Sequence, residues 1–400
     1  MKNKLYLKEV SLSGYKSIID VNIEFQNGLN IIIGKNAAGK TNFLRFLNKI
    51  LNFKYNELNN FNSKIVLIND NKITLNASRN IEFDELLKNN NLSSKIEYEL
   101  RINNKLIKDK KGEETLILDK FKVNDIVYDN TFLCHGLPDN FLIVDKPFSF
   151  VFEMNNSWSV DLHKVFSEVS NPYFTKYCTL SILLELMKLE EGFDSDNIRD
   201  ILLKIFNDIE NINSPLKKYS PIEEVRFSKN FNIFLSEDKK SITINNLFLE
   251  FKIDGNWHPY SNLSDGTKRL FYIISEVYNN EDVRYIRTTS VDRYTGINFI
   301  NRIIFIEEPE LGIHPHQFHK LLEFLKEESE NKQIIITTHS PQSLDVLNFN
   351  ELDRIIIAYS TNIKEGTKLR HLNENEVLKA NEYIKEDFLS DYWLYSDLEK

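Results

Sequence analysis

The sequence predicts an α/β fold, a mixed sheet with an antiparallel β lobe and a helical insertion, and three observations predict it. Residues Gly34 to Thr41 read G-K-N-A-A-G-K-T, between an apolar run ending at Ile33 and apolar residues at helical spacing. Paired segments of alternating apolar and polar residues lie on both sides of this stretch. Further on, between about residues 180 and 211, the apolar period becomes that of amphipathic helices.

Taken in order, Leu5, Leu7, Val10 and Leu12 alternate, as do Ile19, Val21, Ile23 and Phe25, so two strands come first. Leu29, Ile31, Ile32 and Ile33 form a short, buried strand, and Phe43, Leu44, Leu47, Ile50 and Leu51 mark the following helix. Ile65 to Ile68 and Ile73 to Leu75 flank Asn69-Asp70-Asn71, which predicts a hairpin. Ile96, Tyr98, Leu100 and Ile102 alternate into a turn at Asn103-Asn104. Lys108 to Glu114 then reads as a charged hairpin tip before a strand at Thr115 to Leu118. A solvated tip suits these lysines better than a phosphate contact.

From Asp161 to Asn211 the reading is helical, with one stripe of Leu180, Ile182, Leu183, Leu186 and Met187 and another of Ile198, Leu202, Ile205, Phe206 and Ile209. No heptad is sustained, so the insertion is compact and not a coiled coil. Pro215 and Pro221 bracket an expected break. Strands resume at Val225 to Phe227, Phe231 to Leu235, Ile242 to Ile244 and Leu247 to Ile253. A helix bearing Leu270, Ile273, Ile274 and Val277 follows. Apolar strands at Ile303 to Ile306, Ile334 to Ile336 and Ile355 to Ala358 complete the pattern.

Composition bounds the function. The 400 residues leave room for two or three domains or for one with an insertion. No apolar run reaches membrane-spanning length, and M-K-N-K-L-Y-L-K lacks the apolar core of a secretory signal. Cys134 and Cys178 stand alone, without a C-x-x-C, which argues against a zinc ribbon and suits a reducing, cytoplasmic setting. A net charge of −9 leaves nucleic-acid binding possible only through a local patch.

The stretch from Gly34 to Thr41 fits G-x-x-x-x-G-K-[ST], a loop whose backbone N–H groups cradle nucleotide phosphates at a helix N-terminus. With only 12 glycines in the chain, a chance fit is improbable. Lys40 is placed to reach the β- and γ-phosphates, and the Thr41 hydroxyl to ligate Mg²⁺. Ser264 and Gly266 open the helix that carries Leu270, a second candidate anion cap but weak alone. Glu307-Glu308-Pro309-Glu310 ends one apolar strand, where acids can handle Mg²⁺ and water, and Thr337-Thr338-His339-Ser340 ends the next. His314, His316 and His319 cluster in sequence and could suggest a metal site.

With these residues together, the chain resembles an ATP-binding-cassette ATPase of the SMC-like, OLD-like group, often called AAA family ATPases. Gly34–Thr41 resembles Walker A, Leu263–Arg269 the signature motif, Ile303–Glu308 Walker B, and His339 the switch histidine. Tyr15-Lys16-Ser17 resembles the aromatic and basic pair that the group carries ahead of its nucleotide site. The resemblance already explains His314-Pro315, so a helix-entry segment is a better account of the three histidines than a metal site. The resemblance implies a P-loop ATPase head over residues 1–75 and 222–400, interrupted by a β and helical insertion at 76–221. It implies binding of ATP by Tyr15, Lys16, Gly34, Asn36, Gly39, Lys40, Thr41 and Asn42, with Mg²⁺ held by Thr41 and, through water, by Glu307. Glu308 then handles the attacking water and His339 senses the γ-phosphate, while Ser264 and Gly266 act in trans, which requires at least a homodimer.

Three departures stand out. Glu307 replaces the usual Asp, and Asp265 puts a negative charge in the signature. Gln26, Gln317, Gln333 and Gln342 are the only glutamines, so the usual glutamine between Walker A and the signature is missing. Asn76 or Asn80 is the candidate substitute. The resemblance extends to nuclease-free ATPases of bacterial anti-phage systems, including the Septu type, which act with a separately encoded nuclease or toxin. The rival reading is a DNA-repair or chromosome-associated head. The Tyr392-Trp393-Leu394-Tyr395 tail is a candidate for partner docking or for self-packing.

Overall fold

The computed structural model describes residues 6–51, 55, 58–68, 72–80, 96–111, 121–123, 126–128, 141–144, 153–154, 158–161, 195–235, 237, 241–245, 247–278, 303–360, 365–396 and 398. Strands β1 (Tyr6–Ser13), β2 (Val21–Glu24) and β3 (Leu29–Ile33) lead to helix α1 (Lys40–Leu51). Next come β4 (Phe61–Ile68), β5 (Lys72–Arg79), β6 (Ile96–Ile102) and β7 (Lys105–Lys111), then the short β8 (Phe121–Val123), β9 (Ile126–Tyr128) and β10 (Phe141–Val144). The middle of the chain holds β11 (Glu153–Met154), β12 (Trp158–Asp161) and α2 (Ser195–Tyr219). It continues with β13 (Glu224–Phe227), β14 (Asn232–Leu235), β15 (Ser241–Asn245), β16 (Leu247–Ile253) and β17 (Asn256–Pro259). Helix α3 (Asp265–Tyr278), β18 (Ile303–Glu307), α4 (Pro315–Glu328) and β19 (Gln333–Thr338) follow. Last are β20 (Ile355–Ser360), β21 (Thr367–His371), α5 (Glu374–Glu386) and α6 (Leu389–Tyr395).

Two compact units result. The first takes in Met1–Asp145, Phe299–Glu310 and Leu325–Lys400, and the second Lys146–Asn298 and Leu311–Phe324. The boundary expected after residue 75 falls inside β5, and the one before residue 222 falls just ahead of β13.

The first unit contains both large sheets. One runs β10-β18-β19-β3-β20-β21, parallel except for the last pair. Its central strands are near-continuous apolar runs because both faces are covered: every residue of β3, β18 and β19 is buried. The other sheet, β2-β1-β4-β5-β6-β7, is antiparallel throughout. Phe43, Phe46, Leu47 and Ile50 of α1 share one core with Leu7, Val10 and Leu12 of β1 and with Ile32, Phe305 and Ile335 of the parallel sheet. Burying a Phe or Ile side chain of this kind contributes about 1.5–3 kcal/mol. Gln333 stitches the sheets together: its buried side chain accepts from Leu7 N at 2.7 Å and donates to Leu7 O and Gln26 O at 2.9 Å. That contact satisfies backbone groups beside a bulge in β1 that the ladder leaves unpaired.

The hairpin tip corrects the sequence reading. Asn103 and Asn104, with φ of 49° and 64°, form a two-residue turn, and β7 begins at once, so Lys108 to Lys111 belong to a strand and not to a tip. Thr115 to Leu118, Asn69 to Asn71, the stripe from Leu180 to Met187, Leu5 and both cysteines lie outside the described residues.

In the second unit, β13, β16 and β17 form an antiparallel sheet with β11, and β12, β15 and β14 form another. Asp161 ends strand β12 and does not begin a helix, and helix α2 starts at Ser195. The break expected between Pro215 and Pro221 comes at its far end, after Tyr219, and not at Pro215. Helix α2 passes through it to Tyr219, because Ile209, Ile212, Leu216 and Tyr219 are all buried at helical spacing. Their burial outweighs the roughly 3 kcal/mol that an interior proline costs. Asn213 fastens the helix to β13, accepting from Val225 N at 2.6 Å and donating to Val225 O at 3.2 Å. Phe271 of α3 meets Phe251 of β16 edge-on at 4.9 Å.

The C-terminal stretch holds more than the single strand expected there. β21 pairs antiparallel with β20, and α5 is anchored when Arg370 grips Glu376 with two bonds of 2.6 and 2.8 Å. Burial alone pushes the Glu376 carboxyl up, but the Arg370 hydrogen bond and charge and the Asn373 backbone hold it below the ordinary range. Of the Tyr392 to Tyr395 tail, Tyr392 self-packs against Tyr383 at 5.2 Å, whereas Leu394 and Tyr395 are exposed.

Candidate functional site

Parallel strands end together, and in the first unit the order β18-β19-β3 brings three C-terminal ends side by side. Glu307 lies opposite Thr337, and Thr338 opposite Ile33. In open α/β sheets this edge is where ligands bind. Gly34 N donates to Thr338 O at 3.3 Å, which starts the loop from the neighbouring strand.

The loop needs its glycines. A Cβ on Gly34 would lie 2.0 Å from Ala358 O, and one on Gly39, where φ is 93°, would lie 1.8 Å from Thr367 Oγ1. Ala37 also takes positive φ, at 67°. A cavity of about 270 Å³ opens along the loop, lined by Asn36, Ala37, Ala38, Gly39, Lys40, Thr41, Asn42 and Glu308. Lys40 is buried, and its ammonium donates to the carbonyls of Gly34 and, at 3.0 Å, Lys35.

Two expected metal ligands meet directly: the Thr41 hydroxyl donates to the Glu307 carboxylate, and Glu307 is buried. Two hard oxygen donors in contact fit Mg²⁺, which prefers oxygen ligands. Beside them, Glu308 sits at φ 45°, a conformation costing a non-glycine residue on the order of 1–3 kcal/mol. Its N–H, donating to Thr337 O at 2.7 Å, helps hold it there.

His339 is half-exposed at the end of β19 and is not among the lining residues. Its partner is Glu310, whose Oε1 accepts from Thr338 Oγ1 at 2.7 Å and His339 N at 2.9 Å and lies 3.1 Å from His339 Nδ1. Glu310 Oε2 and Thr337 Oγ1 are buried with no hydrogen-bond partner among the described residues. An unmet buried polar atom costs about 1–3 kcal/mol, which marks this corner as built for more than stability.

Tyr15 and Lys16 stand behind the loop. The Tyr15 ring packs 5.1 Å from Phe46, and Lys16 Nζ lies 5.4 Å over the Tyr15 ring. Neither lines the cavity. Ser17, next in sequence, reaches the loop: its Oγ accepts from Asn42 Nδ2 at 2.9 Å and Thr367 Oγ1 at 2.8 Å. Sequence reasoning gave no role to Thr367, Thr338 or the Glu310–His339 pair. Only Glu310's place two residues after Glu308 hinted at it.

The signature residues belong to the second unit. Ser264 caps α3, its Oγ accepting from Thr267 N at 3.2 Å. Gly266 is close to the loop after β18: a Cβ there would lie 2.2 Å from Gly312 O. Among the described residues no three His, Cys, Asp or Glu side chains gather as a metal site, and His319 instead lies 3.6 Å from Glu323. No described helix is long and apolar enough to cross a membrane.

The family model described as "AAA domain, putative AbiEii toxin, Type IV TA system" matches residues 29–345. The Septu protein PtuA of Bacillus thuringiensis is 24% identical over 367 residues, covering 87% of this chain and 75% of its own. The DNA replication and repair protein RecF of Francisella tularensis subsp. novicida is 31% identical over 110 residues, 25% of this chain and 30% of RecF. Among solved structures, the SMC head domain from Thermotoga maritima aligns over 92% of this chain and 99% of its own, at 11% identity and a TM-score of 0.45.

Proposed function

The chain belongs to the family of that AAA domain, and on that premise we propose that it is a Mg²⁺-dependent ATPase whose nucleotide joins two copies of the chain. The observation that carries the proposal is the single cavity where Lys40, Thr41 and Glu308 meet the loop backbone, with Glu307 bonded to Thr41. Lys40 exchanges its two loop carbonyls for phosphate oxygens, and the N–H groups of the loop and of α1 hold the same phosphates. Thr41 and Glu307 would hold Mg²⁺, which when bound neutralises charge on the β- and γ-phosphate oxygens. Glu308 orients and deprotonates the attacking water, and His339 meets the γ-phosphate. Tyr15 and Lys16 serve the nucleotide from the turn that Ser17 ties to the loop. In this reading Ser264 and Gly266 act on the nucleotide of a second copy. Residues 1–75 and 222–400 then make up the ATPase head and 76–221 the insertion.

We place the protein in the cytoplasm, as the sensor or scaffold subunit of an anti-phage defence complex with a separate nuclease or toxin. The likeness to a Septu protein over 87% of the chain supports that role. The RecF likeness, confined to 25% of the chain, favours a second reading in which the ATPase acts through DNA. The test is phosphate release from ATP by the purified chain with Mg²⁺ and with EDTA, followed by mass measurement after co-expression with neighbouring open reading frames. Hydrolysis that needs Mg²⁺ and a co-purifying nuclease or toxin are expected. Hydrolysis stimulated by DNA, with no effector bound, would turn the biological role toward the second reading. No nucleotide binding at millimolar ATP would overturn both.

A further inference from the structure

The Glu310–His339 contact joins two strand ends that are 29 positions apart in sequence. Glu310 is the more deeply placed partner, its side chain 10% exposed against 40% for His339. One oxygen, Oε1, meets the Thr338 hydroxyl at 2.7 Å, the His339 N–H at 2.9 Å and the ring Nδ1 at 3.1 Å. One backbone N–H and the hydroxyl of the buried Thr338 fix where the carboxylate sits, so the third contact is not an accident of a loose side chain. An ionised carboxylate only accepts hydrogen bonds, so Nδ1 must carry the proton. A neutral ring then exposes an Nε2 lone pair, and a ring that donates to phosphate through Nε2 must be the imidazolium.

We propose that Glu310 is a positioning residue: it holds the His339 ring with Nδ1–H turned to the protein and makes Nε2 the atom offered to the γ-phosphate. The proposal rests on the reading of His339 as the residue that meets that phosphate. It separates the two acids that follow Glu307. Glu308 handles water at the cavity, and Glu310, two residues on, aims the histidine. With Nδ1 turned to the Glu310 carboxylate, Nε2 is the ring atom left to face the phosphate. A carboxylate that orients an imidazole is a recurring way to fix its tautomer.

Four variants test it: Glu310→Ala, Glu310→Gln, His339→Ala and the double Glu310→Ala/His339→Ala. Glu310→Ala should lower kcat about 10- to 100-fold, the scale on which such supporting contacts act, while the Kd for ATP changes less than about threefold. The double variant should be no slower than His339→Ala alone, since the carboxylate works only through the ring. Glu310→Gln keeps an oxygen acceptor and should recover part of the loss, and it carries the test if the alanine variant does not fold. Nitrogen-15 NMR of His339 should show the Nδ1–H form in the parent chain and the Nε2–H form in Glu310→Ala. Unchanged kcat in folded Glu310→Ala, or losses that multiply in the double variant, would overturn the proposal. If His339→Ala turns over ATP normally, the role of His339 itself falls, and the proposal with it. The NMR signal still reports whether Glu310 fixes the ring.

Discussion

Two helix N-termini, one in each unit, carry the residues that could receive phosphate, and they are built differently. At the start of α1, Lys40 is buried, Asn42 is bonded to Ser17, and Glu308 faces the same cavity as the loop. At the start of α3, Ser264 spends its hydroxyl on Thr267, and Ser264 and Asp265 are exposed, the Asp265 side chain by 93%. The first end is an enclosed cradle with its cation and acids in place. The second is a capped helix end turned to solvent. A helix N-terminus supplies N–H groups and a partial positive charge in either case. The second end has a buried cation of its own, Arg269, but its Ser264 and Asp265 stand in solvent, as those of a half-site completed by another copy would.

The largest effect should come from Lys40→Ala. Removing one member of a buried charge pair costs about 3–5 kcal/mol, so ATP affinity should fall by about 100-fold or more. Lys268→Ala is the control at the other end: this lysine lies 3.9 Å from Asp265 and is partly exposed, so affinity should change less than about twofold. Calorimetric titration with ATP measures both. Equal losses would erase the difference between the two helix ends.

Glu308→Gln should come next, with ATP binding retained and kcat lowered by about 10²- to 10⁴-fold, because the amide keeps the shape but cannot take a proton. Light scattering should find the variant as a dimer in ATP. Normal turnover would move the base off the residue that lines the cavity.

How these residues were found separates what spacing can reveal from what it cannot. The loop, the two acids and the histidine stand at the ends of apolar runs, so β3, β18 and β19 were legible as strands, and their parallel pairing came from the structure. Helix α1 was equally plain from its apolar stripe. Strand β7 was not, because K-L-I-K-D-K-K has no alternation, and its pairing with β6 comes from the backbone and from the Asn103-Asn104 turn. Pro215 hid the length of α2, since burial overrode a local breaker. The supporting contacts escaped for a different reason. Ser17 and Thr367 are 350 positions apart and Glu310 and His339 29. The first pair meets where the turn after β1 reaches the start of β21, and the second where β18 and β19 run side by side, so only the fold brings each pair together. Motifs mark the groups that touch a ligand, and the groups that aim them depend on the fold.

A smaller effect, and a sharper test of the second helix end, comes from mixing. Ser264→Arg places bulk and positive charge at the start of α3, and should abolish turnover while leaving ATP binding to Lys40 intact. Lys40→Ala breaks the other half. Random pairing at equal concentration makes about half the dimers mixed, each with one intact site, so about a quarter of parental activity should return. Recovery should saturate with protein concentration. No recovery, once subunit exchange is established, would put Ser264 to work within its own chain.

The smallest effect distinguishes a phosphate-receiving helix end from a merely capped one, because one charge has opposite consequences in the two cases. Asp265 lies in the first turn of α3, where a negative charge favours the helix, so Asp265→Asn should lower the melting midpoint by about one to two degrees. If the same turn receives phosphate from a second copy, the carboxylate repels it. Its removal also releases Lys268, 3.9 Å away, to face the anion. ATP-dependent dimerisation should then strengthen, about two- to fivefold, and more at 20 mM than at 200 mM salt, because exposed charges are screened. The two measurements must move in opposite directions: a less stable chain that dimerises more tightly. A variant that is both less stable and weaker as a dimer would show that Asp265 only caps its helix, and α3 would lose its claim on the phosphate of a second copy.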